Sequence, residues 1–220
     1  MSGQLTKRRF AAFLRGVNVG GAHRLPMAEV RAVLGELGAS DVATYIQSGN
    51  IVFTAEAGAG EGPAGGDPAG DDPAGDDPAG AGLTAGGGEH DGDSGTDATA
   101  AEAWAVRIAT ALEQRVGFPV PVAVRSAEVL AAARQACPYA PDDPRFCHLI
   151  LLESAPSAGV MDEIRALTSG TDTEVAVEGT TAYLLTPGGL AASKPAAAIS
   201  RRLGGTARNL HTVDAVIERL

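Results

Sequence analysis

Apolar residues recur along this chain with two different periods, and the places where the period changes divide it into elements. A continuous run at 10–14 (Phe-Ala-Ala-Phe-Leu) stops at Arg15 and predicts a strand. Pro26 suits the first turn of a helix, and Met27, Val30, Leu34 and Leu37 give that helix its apolar stripe before Gly38 ends it. Residues 42–47 and 50–54 predict two strands joined by the two-residue turn Ser48-Gly49, a hairpin signal. Trp104, Ile108, Leu112 and Val116 fall four apart on one helix face, and 120–125 predicts the next strand. The order β-α-β-β-α-β is the split-βαβ, or ferredoxin-like, pattern.

The second half repeats it. Ser126 predicts a helix cap for 127–136, stopped by Pro138. Strands are expected at 146–152, 174–177 and 181–185. Helices are expected at 160–167 and 192–203, with a last one striped by Val213, Val216, Ile217 and Leu220. The final strand of this half is expected to be short or missing. The fold class is α+β, with two ferredoxin-like halves at 1–125 and 126–220. Each is an antiparallel sheet with helices, and each sheet's open face is covered by the other half or by the linking helices.

Within the first half the rhythm fails. Residues 55–98 are low in complexity, with Asp-Asp-Pro-Ala-Gly at 71–75 and again at 76–80, and are expected to be a disordered insert. This segment also changes the meaning of the net charge of −10. Residues 55–100 carry eleven acids and no Lys or Arg, which leaves 16 of the 27 acids against 17 bases elsewhere. The bases cluster: Lys7, Arg8, Arg9, Arg15 and Arg24 precede the first acid, Glu29, and Lys194, Arg201, Arg202, Arg208 and His211 lie in a second acid-free window. One positive surface built from both windows is one reading, and scattered solvated charge the other. The insert's acids either compete with an anionic partner for these bases or merely lengthen a surface loop.

No apolar run reaches the roughly 18–20 residues of a membrane span, and none resembles an export signal. Cys137 and Cys147 have neither a disulfide framework nor CxxC spacing, so a cytoplasmic protein with reduced thiols is expected. No His, Cys, Asp and Glu set has metal-ligand spacing, and no cofactor is implied.

Two polar turns carry the candidate chemistry: Arg15-Gly16-Val17-Asn18-Val19-Gly20-Gly21 and Gln47-Ser48-Gly49-Asn50. A helical crossover makes their strands parallel, so both turns belong at one sheet edge. Arg15 offers a planar fork of donors for phosphate or carboxylate. Gly16, Gly20 and Gly21 permit close backbone approach. Asn18, Gln47, Ser48 and Asn50 supply polar groups, and Lys194, Arg208 and Asn209 join from the second half. The alternative pairs Arg15 with an acid such as Glu36 or Asp41 and uses Asn209 to cap the last helix. Among the histidines, His23 is the first general-base candidate and His211 the second, while His148 reads as structural.

These segments resemble a bacterial family, domain of unknown function 1697 (DUF1697). The resemblance rests on Leu14 to Gly21, Pro26-Met27, Thr44 to Asn50, Ser193-Lys194, and the closing Thr206, Arg208, Asn209, Thr212 and Val213. It implies a two-part α+β structure and no activity. Leu210 stands where the family has an aromatic, which would alter any stacking on a ligand there. The expected function is binding of a small anionic ligand or a nucleic-acid phosphate at the strand ends. An enzyme using His23 on a phosphorylated or carboxylated metabolite, and an interaction protein without a pocket, are the alternatives.

Overall fold

The computed structural model describes residues 6–19, 23–56, 92–190 and 192–220 of the 220-residue chain, with side chains in the long second helix from residue 98 onward. Its first half runs β1 (Lys7–Leu14), α1 (Met27–Glu36), β2 (Ser40–Tyr45), β3 (Asn50–Glu56), α2 (Gly92–Val116) and β4 (Val122–Ser126). The second runs α3 (Ala127–Gln135), β5 (Cys147–Leu151), α4 (Ala158–Thr168), β6 (Glu174–Glu178), β7 (Thr181–Leu185), α5 (Lys194–Leu203), β8 (Thr206–Asn209) and α6 (Leu210–Ile217). Two antiparallel four-stranded sheets result, ordered β2-β3-β1-β4 and β6-β7-β5-β8.

Side chains alternate across a strand, so each sheet has two distinct faces. Phe10, Ala12, Leu14, Ile51 and Phe53 pack under α1 and α2. Phe53 lies 5.6 Å from the Phe10 ring and 5.2 Å from the Trp104 ring. Ala11, Phe13 and Val52 face the other way, toward Leu149, Leu151 and Tyr183 of the second sheet, with Leu130 of α3 and Leu210, Val213 and Val216 of α6 between. Ile150, Leu152, Ala182 and Leu184 pack under α4 and α5. The layers are therefore helix, sheet, helix, sheet, helix, and α3 and α6 form the middle one. Burying a large apolar side chain contributes about 1.5–3 kcal/mol, so a shared middle layer couples the halves strongly.

Several expectations change. The β2–β3 turn has four residues, Ile46 to Gly49, because β2 ends at Tyr45 and pairs it with Asn50. The final strand, expected to be short or missing, is short: β8 has four residues, pairs β5, and ends at Asn209, which caps α6. Residues 55–56 belong to β3 and 92–98 to α2, and the insert expected to be disordered lies, for 57–91, outside the described residues. Leu210 is buried in the middle core, so its side chain meets protein rather than ligand. The two cysteines, distant in pattern, have their sulfurs 3.8 Å apart, and burial pushes the Cys147 thiol up to about 12.

His148 in β5 generates a pH prediction. Its Nδ1 is buried without a hydrogen-bond partner among the described residues, and burial lowers its pKa from the ordinary 6.5. On acidification the unfolded chain takes up this proton first, because its imidazole keeps the higher pKa. Stability from His148 is complete above pH 6.5 and is lost as the pH falls toward the depressed folded-state value. His148→Leu should flatten the fall of Tm over that window, measured by thermal melts across pH. An unchanged acid slope would show that other groups govern it.

Candidate functional site

The two polar turns meet as the topology requires. Leu14 N–H donates to Gly49 O at 2.8 Å, and Asn18 Nδ2 donates to Gln47 O at 2.9 Å. Gly49 has φ +78°, and a Cβ there would lie 2.6 Å from Leu14 Cβ, so the turn closes tightly on the end of β1. Asn18, at φ 55°, also donates to Leu25 O and accepts from Leu25 N–H, both at 2.9 Å. Its amide is thereby committed to holding its own loop and the neighbouring turn.

Arg208 reaches the same place from β8. Its Nη2 donates to Leu14 O at 2.7 Å, to Ser48 O at 2.9 Å and to Gly49 O at 3.4 Å. Nη1 donates to Ala207 O at 2.8 Å, and Nε donates to Asn50 Oδ1. The guanidinium lies 5.7 Å over the Phe13 ring. Asn50 is fully buried and donates through Nδ2 to Tyr45 O at 3.2 Å and to Ser48 Oγ at 3.1 Å. Burial pushes the Arg208 pKa down to about 10, so it remains a cation at neutral pH, yet no carboxylate pairs with it among the described residues.

The expected ligand groups therefore divide. Arg208, Asn50 and Asn18 meet, but their polar atoms are turned onto the protein's own carbonyls and amides. The Ser48 hydroxyl accepts from Asn50, and Gln47 offers its carbonyl to Asn18 while its residue stays exposed. Asn209 caps α6, accepting from Thr212 N–H at 2.8 Å. Gly16 has open space where a Cβ would stand. Lys194 is remote from the cluster, lining a separate depression with Asp172 and Thr186. Gly20 and Gly21 lie outside the described residues. His23 is exposed and stacks on Phe118 at 4.6 Å, with its carbonyl rather than its ring engaged by Asn18. The two basic windows do meet at Arg15 and Arg208, but Arg208 is half-buried with its donors turned onto protein carbonyls, and Arg202 pairs with Glu163.

Arg15 has neither Glu36 nor Asp41 as its partner. Glu36 pairs with Arg115 at 2.6 Å. Arg15 instead crosses to the second half, donating to Gly205 O at 3.1 Å and facing Glu153 at 3.8 Å. Both partners, Gly205 and Glu153, line a cleft of about 520 Å³ bounded by α2, β4, the start of α3, the end of β5 and the start of β8, and Arg15 adjoins it through them. Ala101, Ala105, Val106, Val124, Val129 and Leu152 make its walls largely apolar. Arg125 lines it too, donating to Val124 O at 2.8 Å and to Leu152 O at 3.4 Å. Burial lowers the Arg125 pKa, and no carboxylate pairs with it among the described residues. Glu102 and Glu153 are the cleft's acids, and the Glu153 side chain is 81% exposed. Sequence reasoning missed Arg125, although it ends an apolar strand just as Arg15 does.

With this geometry in hand, the chain is placed in a family: it belongs to the one described as "Protein of unknown function (DUF1697)", whose model matches residues 8–62 and 95–183. Among solved structures it is similar to the conserved bacterial protein SP0830 from Streptococcus pneumoniae. The identity is 19%, the TM-score 0.59, and the match covers 97% of this chain and 99% of that one. That likeness concerns the fold. No curated protein matches the chain in sequence. Among the described residues, no helix is long and apolar enough to cross a membrane.

The Arg208 cluster predicts large stability effects. Arg208→Ala leaves several buried acceptors without donors and should cost about 3 kcal/mol or more in urea denaturation. Arg208→Lys should not restore it, since one ammonium cannot serve Asn50 and three carbonyls together. A Lys variant as stable as the native protein would reject the clamp. Gly49→Ala should cost about 2 kcal/mol more than Gly16→Ala, as both have positive φ but only Gly49 is crowded.

Proposed function

We propose that this protein binds a small anion with an apolar body in the cleft between its two sheets. The observation that carries the reading is Arg125. Its guanidinium is half-buried in an apolar wall and has two backbone carbonyls for partners. Such a group attracts a carboxylate or phosphate, and charge-assisted hydrogen bonds made away from bulk water are the stronger ones. The cleft's volume falls within the roughly 300–1,000 Å³ of small-molecule sites, and few polar groups in an apolar lining is their usual make-up. Arg15 adds a second guanidinium beside the cleft, where the loosely held, exposed Glu153 is easily displaced.

This moves the anion from the turns to the cleft beside them. The turns are poorly suited because Arg208, Asn18 and Asn50 are already satisfied. A nucleic-acid surface is poorly suited because Phe10, Phe13 and Phe53 are buried and cannot stack bases. The same reading takes each half as a ferredoxin-like unit, supported by the strand order and by the helical crossovers.

Isothermal titration with decanoate tests the proposal. Saturable one-site binding is expected. Arg125→Ala should weaken it on the order of 10-fold or more, the value of a charged hydrogen bond. Arg15→Ala should weaken it less, because that side chain is 43% exposed. Binding that ignores Arg125 in a variant with native Tm would reject the site.

A further inference from the structure

The cleft is lined by the backbone of an unpaired strand edge, and this narrows what it takes. Strand β4 ends its sheet and, among the described residues, pairs only with β1. Arg15 N–H donates to Pro121 O, in the register that matches Phe13 with Ala123 and Ala11 with Arg125. Hydrogen-bonded and non-hydrogen-bonded pairs alternate in an antiparallel ladder. Ala123 and Arg125 therefore bond to β1, while the amides and carbonyls of Val122 and Val124 point outward into the cleft. Arg125 Nη1 caps Val124 O. The Val122 N–H, the Val122 C=O and the Val124 N–H are left without partners among the described residues.

We propose that the occupant is an extended peptide with a free C-terminal carboxylate, added as a fifth strand parallel to β4. The proposal rests on the cleft being an anion site. In a parallel ladder each residue bonds to the two neighbours of the residue opposite. The terminal residue's N–H then donates to Val122 O. Its carboxylate accepts from Val124 N–H and from Arg125. The carbonyl two residues earlier accepts from Val122 N–H. The peptide ends there, and the next outward acceptor, Val124 O, is the one that Arg125 already covers. Main-chain bonds of this kind supply affinity, and pockets for alternate side chains supply selectivity. Ala101, Ala105, Val106 and Val129 favour small apolar side chains at the terminus.

The test uses the full chain and four probes: dansyl-Gly-Ala-Val-Val as free acid, its C-terminal amide, its analogue methylated on the last peptide nitrogen, and decanoate. The free acid should bind and slow hydrogen exchange at the Val122 and Val124 amides, read by NMR. Amidation and N-methylation should each weaken it on the order of 10-fold. Arg125→Gln should weaken the free acid by a similar factor, and Arg125→Lys should recover part. The N-methylated peptide acts on the unaltered protein, so no variant has to fold for the proposal to fail. Equal binding of the N-methylated peptide and the free acid overturns it. So does tight decanoate binding with no free-acid peptide binding, and in that case the anion reading survives. If none of the four binds, both readings fall.

Discussion

The junction of the two halves depends on a largely desolvated cation that no carboxylate pairs among the described residues. Arg208 is taken from water by the second half and presented to the end of β1 and the β2–β3 turn of the first. Moving a guanidinium into a protein interior is costly unless its N–H groups find acceptors. Here the acceptors are backbone carbonyls and the Asn50 amide oxygen. This arrangement fixes orientation sharply, since the planar fork fits only one placement of the two halves. Asn50 suits its position because its Oδ1 accepts from Arg208 while its Nδ2 holds Tyr45 O and Ser48 Oγ. An aspartate would supply the missing charge but could not donate.

The middle layer supports this junction. Tyr183 of the second sheet donates to Ala133 O of α3 at 2.6 Å, and Arg134 of α3 pairs with Asp214 of α6 at 2.6 Å. Both helices pack against the first sheet's inner face as well. The cleft is the consequence: two sheets locked through a central layer leave the β4 edge standing opposite the ends of β5 and β8. Arg125 in the cleft and Arg15 beside it each bond to a carbonyl of the second half, Leu152 O and Gly205 O. The walls of the cleft are thus held by the same kind of contact, guanidinium to carbonyl, that holds the halves together.

Much of the fold was legible in the chain. A continuous apolar run, a hairpin signal and period-3.6 stripes located β1, β3, α1 and the later half of α2, and the polar caps Ser126 and Asn209 marked the starts of α3 and α6. The adjacency of the two polar turns followed from crossover geometry. Less was legible in the site. Residue type identified Arg15, Asn18, Asn50 and Arg208 as chemically notable, but type does not say whether a donor faces solvent or a carbonyl. Short β8 was hidden because Thr206 to Asn209 has no apolar alternation of its own and is defined by pairing with β5.

The sequence by itself determined the elements, the caps and the meeting of two turns, because these follow from local periodicity and from the steric rules of connecting strands. The tertiary structure decided what those residues do. A hydrogen bond needs a partner at about 3 Å in a particular direction, and the partners of Arg208 and Arg125 include carbonyls contributed by strands and turns distant in the chain. Every residue carries a carbonyl, so no pattern of side chains marks which ones will face an arginine; only the packed sheets do.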